Sequence, residues 1–173
     1  MQRTFHAPFR APFLYANFST EEIMTSLELN IRAYDEATDR DTLSNIWFEA
    51  SLLAHPFIGE ARLREQRPLI ETEYLPKAET WVACLGETPV GFISLLDGFI
   101  GGLFVAPGQQ GHGIGRALVA HALNLRGELQ LEVYTANRQA TSFYEKLGFV
   151  EVSRRAEDDQ GLPHENAHLV LKR

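Results

Sequence analysis

From Leu29 onward the apolar positions change period in a fixed succession. Ile31 and Ala33 alternate with polar neighbours, as in a half-buried strand. Leu43, Ile46, Trp47, Ala50 and Leu53 then recur three and four residues apart, which predicts a helix with these residues on its inner face and Thr38 and Asp41 as its N-terminal capping pair. His55-Pro56-Phe57-Ile58-Gly59 ends that helix, because proline holds the residue before it in extended geometry. A second helix over 60–76 contains Pro68 and is expected to kink or split there. Strands follow at Trp81–Leu85, Pro89–Leu96 and Gly98–Val105, then a helix, then a strand over Leu129–Thr135. Asn137 is placed to cap the next helix, whose Ala140, Phe143, Tyr144 and Leu147 share one face and whose stop is Gly148. Two closing strands, Val150–Ala156 and Ala167–Lys172, are joined by the polar, acidic loop Glu157–Glu165. Strands alternating with helices in this way predict an α/β sandwich on a mixed sheet.

Residues 1–28 break the pattern. Phe5, Phe9, Phe13, Tyr15 and Phe18 are interrupted by Pro8 and Pro12 and follow neither period. The expectation is an N-terminal extension, disordered or loosely docked, with Met24 as a natural start and one domain over 29–173.

Composition narrows the picture. The 173 residues, 45% hydrophobic, suffice for one full core but hardly two. The single cysteine, Cys84, sits in a strand-like run and reads as a core residue. A net charge of −7 and the lack of a basic stripe argue against nucleic acid, and weakly favour cationic acceptors. No apolar run is long enough for a bilayer, and the N-terminal stretch lacks the apolar centre of a secretory signal. A reducing, cytoplasmic setting without a membrane partner is therefore expected. His164 and His168 are four apart but flank a predicted strand, where that spacing does not bring two ligands to one face as it would in a helix. Cys84 has no partner, so no metal is expected.

The chemistry is concentrated in Leu103-Phe-Val-Ala-Pro-Gly-Gln-Gln-Gly-His-Gly-Ile-Gly-Arg-Ala-Leu118. An apolar strand, a proline-stopped turn, alternating glycines and a helix start leave main-chain N–H groups bare at the positive end of a helix dipole, a surface suited to a phosphate or diphosphate. A P-loop is excluded because Gly115 is followed by Arg116-Ala117 rather than Lys-Ser or Lys-Thr. The dinucleotide order G-x-G-x-x-G fails from Gly111 and from Gly113, where the last position falls on Arg116 and Leu118. What fits is Q-x-x-G-x-G on Gln110, Gly113 and Gly115. An ordinary glycine-rich turn is the plainer reading of this segment alone.

Together with Asn137…Phe143-Tyr144…Leu147-Gly148-Phe149, this segment resembles the GCN5-related N-acetyltransferases, or GNAT family. The resemblance covers residues 29 to 172 and extends to small bacterial acetyltransferases, some of which act on protein lysines. It implies a mixed, mostly antiparallel sheet splayed between strands four and five and flanked by four helices. It also implies acetyl-CoA as co-substrate and transfer of the acetyl group to a primary amine, either a protein lysine or a small molecule. By the resemblance, Leu103, Phe104 and Val105 offer main-chain groups to the pantetheine arm. Gln110, Gly111, His112, Gly113, Ile114, Gly115 and Arg116 hold the diphosphate, and Asn137 contacts the cofactor while capping its helix. Tyr144 is implied as the acid that protonates the departing thiolate, its plainer reading being a core tyrosine. For the base, Glu132 resembles in placement a carboxylate that some relatives use, and His55 is the other candidate. Their plainer readings are a solvent-facing strand residue and a turn residue. His55 and Phe57 fall in the expected substrate loop. A monomer or homodimer is compatible with all of this. The alternative function is a non-catalytic acyl-CoA sensor or scaffold of the same fold; a nucleotide-binding protein is more remote.

Overall fold

In the computed structural model, residues 28–173 are described. The extension expected at the N-terminus lies outside them, apart from its last residue. Strand β1 (Leu29–Ala33) leads into helix α1 (Glu36–Ala54) and helix α2 (Glu60–Leu69). Strands β2 (Glu79–Leu85), β3 (Thr88–Leu96) and β4 (Phe99–Val105) form a meander, followed by helix α3 (Ile114–Arg126) and β5 (Glu128–Tyr134). Helix α4 (Arg138–Leu147), β6 (Val150–Arg155) and β7 (Asn166–Lys172) complete the chain. The seven strands lie in the order β1-β2-β3-β4-β5-β7-β6. Only β4 and β5 are parallel; the other neighbours are antiparallel.

Alternation along the strands sorts the apolar residues into two layers, since successive side chains leave opposite faces of a sheet. Val82, Cys84 and Phe92 pack with Leu43, Ile46 and Trp47 of α1 and Leu63 of α2. Ala83, Ile93 and Leu95 pack on the other face with Leu118, Val119 and Ala122 of α3 and Tyr144 of α4. The single core expected from composition is thus divided by the sheet into two. Cys84 is buried, as its strand position predicted.

Three local expectations change. Helix α1 is capped by Asp35, whose carboxylate accepts from Ala37 N–H at 3.0 Å, so Thr38 is already inside the helix. Asp39, almost wholly buried, instead takes a bidentate pair from Arg32 at 2.6 and 2.8 Å, tying the start of α1 to β1. Leu53 lies on the predicted stripe yet is 66% exposed, because it borders the open cavity between α1 and the sheet instead of packing into the core. At Pro68 the chain stays helical, but regular α2 gives way one residue later, at Leu69. The helix continues through a wider π turn at Ile70–Tyr74 and a last turn at Leu75–Lys77. Thr72 Oγ1 donates to the Pro68 carbonyl at 2.9 Å across that turn.

Candidate active site

The parallel pair β4–β5 is joined at Phe99 and Gln130, where Gln130 N–H donates to the Gly98 carbonyl at 2.9 Å, and diverges from there. The divergence opens a slot that leads into a cavity of about 640 Å³, within the range of small-molecule sites. Which main-chain groups face it follows from register. Ala106 N–H donates to Val90 O at 2.8 Å, toward β3, so the alternation of an antiparallel pair turns Leu103 and Val105 the other way, toward the slot. The Val105 carbonyl is taken by Gln110 Nε2 at 3.1 Å. Both groups of Leu103 and the N–H of Val105 remain for an extended, amide-bearing arm. Phe104, expected with them, turns its main chain toward β3, and its ring lies 5.4 Å from that of Phe92.

The glycine run between β4 and α3 contributes in two ways. Gly111 and Gly113 have φ of 81° and 82°, a left-handed conformation that costs a side-chain-bearing residue ~1–2 kcal/mol. Gly115 has no positive φ but little room, since a Cβ there would lie 3.2 Å from Phe143 Cζ and the ring would have to give by a few tenths of an ångström. The first hydrogen bond of α3 is donated by Ala117 to the Gly113 carbonyl, which leaves the N–H groups of Ile114, Gly115 and Arg116 without a helical partner. Ile114 anchors this end by burying its side chain in the core. Gln110, Gly111, Gly113, Ile114, Gly115 and Arg116 all line the cavity, and these bare N–H groups with the Arg116 guanidinium suit a diphosphate. His112 does not line it; it is exposed, with Nδ1 3.3 Å from the Gln109 carbonyl.

The opposite wall comes from β5 and α4. Asn137 caps α4 through Oδ1, which accepts from Ala140 N–H at 3.0 Å, and also lines the cavity. Tyr144 packs its ring between Phe143 and Phe149, at 5.2 and 5.3 Å between centroids, and still contributes to the cavity wall. Burial alone pushes its phenol well above the usual tyrosine value, so Oη keeps its proton at any ordinary pH. The core reading of Tyr144 and the acid reading are thus compatible. Glu132 reaches the cavity from the face of β5 turned to solvent, where its carboxylate is paired with the Arg155 guanidinium. Arg155 also bonds Asp159 at 2.7 Å.

His55 ends α1, its N–H bound to the Ser51 carbonyl at 2.9 Å, and its ring lines the cavity. Burial lowers its pKa below the ordinary 6.5, so the ring is neutral at pH 7. Phe57 stands behind it rather than in the cavity wall, with ring centroids 5.8 Å apart.

Sequence reasoning missed Tyr134 and the fold of the loop beyond β6. The Tyr134 ring meets both His55 and Phe57 at 5.3 Å, and His164 closes the cluster 5.1 Å from Phe57. Tyr134 Oη donates to buried Asp158 at 3.4 Å. Asp158 also accepts from the N–H groups of Gln160 and Leu162 at 2.9 Å each. Burial acts to raise the Asp158 pKa, but the bonds from Leu162 and Gln160 outweigh it and hold the carboxyl below the usual range. Two signals were available. Tyr134 lies two residues beyond Glu132 on the same face of a strand, and Asp158-Asp159-Gln160-Gly161 is a turn sequence.

Residues 76–151 match the acetyltransferase (GNAT) domain family. The chain is 36% identical over 143 residues to the peptidyl-lysine N-acetyltransferase YjaB of Salmonella typhimurium, covering 82% of this chain and 97% of that protein. It is 33% identical over 129 residues to the peptidyl-lysine N-acetyltransferase YiaC of Escherichia coli, covering 74% and 88%. The solution structure of apo YjaB from Escherichia coli superimposes with a TM-score of 0.74 at 34% identity, covering 83% of this chain and 97% of that one.

Proposed function

Because the chain belongs to the GNAT acetyltransferase family, it is an N-acetyltransferase with acetyl-CoA as co-substrate, and we propose that its acceptor is the side-chain amine of a lysine in a protein. The observation that carries this reading is the cavity itself, which joins a diphosphate cradle and a free strand edge to an acceptor end walled by His55, Tyr134 and Asn137. The curated relatives, named for peptidyl-lysine, direct the choice among amines. When bound, acetyl-CoA supplies an activated acyl group as a thioester.

The roles of the protein groups follow from their positions. Ile114, Gly115 and Arg116 hold the diphosphate through main-chain N–H groups, and Gln110 fixes the end of β4 beside them. Leu103 and Val105 orient the arm along the slot, and a main-chain N–H there polarises a carbonyl as charge builds on its oxygen. Tyr144 holds a proton at Oη for the leaving side of the reaction. Leu53 and Tyr74, both exposed, line the opening together with the acidic Glu132 and Asp159 and the basic Arg155, a mixed rim suited to a peptide segment carrying a cationic side chain.

Incubation of the purified protein with acetyl-CoA and either a panel of lysine-containing peptides or a panel of small amines tests the reading. Thiol release and a 42 Da mass gain on lysine Nε are expected with peptides. Transfer to small amines alone assigns a metabolite acceptor, and cofactor binding without transfer to any amine assigns a sensor.

A further inference from the structure

We propose that His55 is the proton acceptor for the attacking amine, acting through Nε2 in the tautomer that carries its hydrogen on Nδ1. The proposal rests on the acetyl-transfer reading above and names a group that reading leaves open.

The tautomer follows from a chain of bonds. Asn137 Oδ1 is fixed by accepting Ala140 N–H at 3.0 Å, which sets the amide so that Nδ2 is the atom 3.5 Å from His55 Nε2. An amide nitrogen can only donate, so Nε2 must carry the lone pair. The contact is long enough to be exchanged for an entering amine. Asn137 is then a positioning residue as well as a cap.

Apart from the exposed Tyr74 at the opening, the other ionisable groups of the cavity are committed elsewhere or hold their protons. Glu132 is paired with Arg155, Asp159 is bound to the same guanidinium, and buried Asp158 is occupied by Gln160, Leu162 and Tyr134. Tyr134 and Tyr144 stay protonated, since burial raises both. Lys146 and Arg116 are cations. His55 alone brings an uncharged lone pair to the cavity wall without an ionic partner. The groups packed around it are the rings of Phe57 and Tyr134 and the Asn137 amide, with His164 behind Phe57 and Asp158 below Tyr134. Withdrawal from water disfavours an ammonium ion that enters the cavity, which lowers the amine pKa from its usual ~10.4. In the step, an N–H bond of the ammonium breaks and an Nε2–H bond forms. The freed lone pair forms the N–C bond to the thioester carbonyl carbon, and the C–S bond breaks. Tyr144 Oη protonates the departing thiolate, and the second proton lost by the nitrogen restores the phenol. The imidazolium then returns its proton to water through the cavity mouth.

The test pairs an NMR titration with a pH profile of the wild-type enzyme. In the acceptor-free protein, imidazole ¹⁵N shifts should show a neutral His55 ring bearing its hydrogen on Nδ1 at pH 7. The acid limb of kcat/KM for the peptide acceptor should fall at the same pKa, below 6.5. His55→Gln should lower kcat/KM by about 100-fold and abolish that limb, while coenzyme A binding measured by calorimetry is retained. Glu132→Gln should keep the limb where it is. A hydrogen on Nε2, a kinetic limb that does not match the titrated value, or a limb that persists in His55→Gln and vanishes in Glu132→Gln overturns the proposal. If wild-type protein acetylates no amine, the acetyl-transfer reading fails instead. If His55→Gln does not fold, the wild-type comparison of the two pKa values decides alone.

Discussion

Tyr144→Phe separates chemistry from architecture. The substitution removes one oxygen and leaves the ring contacts to Phe143 and Phe149, at 5.2 and 5.3 Å, in place. Burial is the cause of the raised pKa of the phenol, and no neighbouring charge contributes to it. The expected change in stability is therefore small, about 0–1 kcal/mol, since the main effect is to drop a polar atom from an apolar surround. A positioned acid contributes about 10²–10⁴ in rate, or about 3–5 kcal/mol of barrier, so kcat should fall by that factor while the affinity for coenzyme A changes less than about twofold. Thiol release at saturating acetyl-CoA, a thermal melt and a calorimetric titration give the three numbers. Because burial moves the phenol above its ordinary 10.0, loss of the tyrosine proton should contribute no alkaline limb to the wild-type profile below that pH. Unchanged kcat in a folded variant would refute the acid role and leave Tyr144 as a core residue only.

Three further outcomes are expected. Gly113→Ala, forced to hold φ near 82°, should lose about 1–2 kcal/mol and weaken coenzyme A binding; Gly108→Ala, with open space at its Cβ and no positive φ, should do neither, as calorimetry and melting would show. Arg32→Ala leaves buried Asp39 with only the Asp35 N–H and Thr38 hydroxyl, costing about 2–3 kcal/mol in chemical denaturation at neutral pH. Since the bond to Arg32 lowers the Asp39 pKa below its ordinary 3.8, the wild-type advantage should be complete above that pH and disappear as pH falls through the lower, folded-state value. Asp158→Ala should accelerate amide hydrogen exchange at Gln160 and Leu162 and raise KM for the acceptor, with little change in KM for acetyl-CoA.

What could be read from the chain was whatever depends on near neighbours. Strand and helix periods, the Asn137 cap, the Gly148 stop and the glycine run are all local, and each corresponds to an observed feature. The cap of α1 was misplaced although it too is local. Thr38 and Asp41 satisfied the pattern, but Asp35, two residues beyond β1, bonds the second N–H after it and starts the helix earlier. Leu53 satisfied the helical stripe, yet it borders the cavity, whose place in the fold no spacing encodes. The acceptor end was the least legible part. Pairing of Glu132 with Arg155 requires β5 and β6 to flank β7, and the His55–Tyr134 contact requires the end of α1 to reach the end of β5. Both join residues far apart in sequence through the topology alone.

The slot is bordered at its open end by a ring. Parallel neighbours normally continue their ladder, and leaving main-chain groups unpaired in an apolar setting costs about 1–3 kcal/mol each unless water reaches them. Here the end of β4, the start of α3 and the middle of α4 meet at Val105, Gly115 and Phe143, where the missing Cβ of Gly115 lets the Phe143 ring sit against the helix. Gln110 closes off the Val105 carbonyl, so fewer groups at the tip of β4 stay unsatisfied. The same glycine that admits the ring also leaves its own N–H bare at the head of α3. One small residue thus joins the seat of the Phe143 ring to the anion cradle. Any substitution there that drives Phe143 back disturbs the arm's path and the diphosphate's seat together, whereas Tyr144, one residue further along α4, can lose its oxygen without moving either.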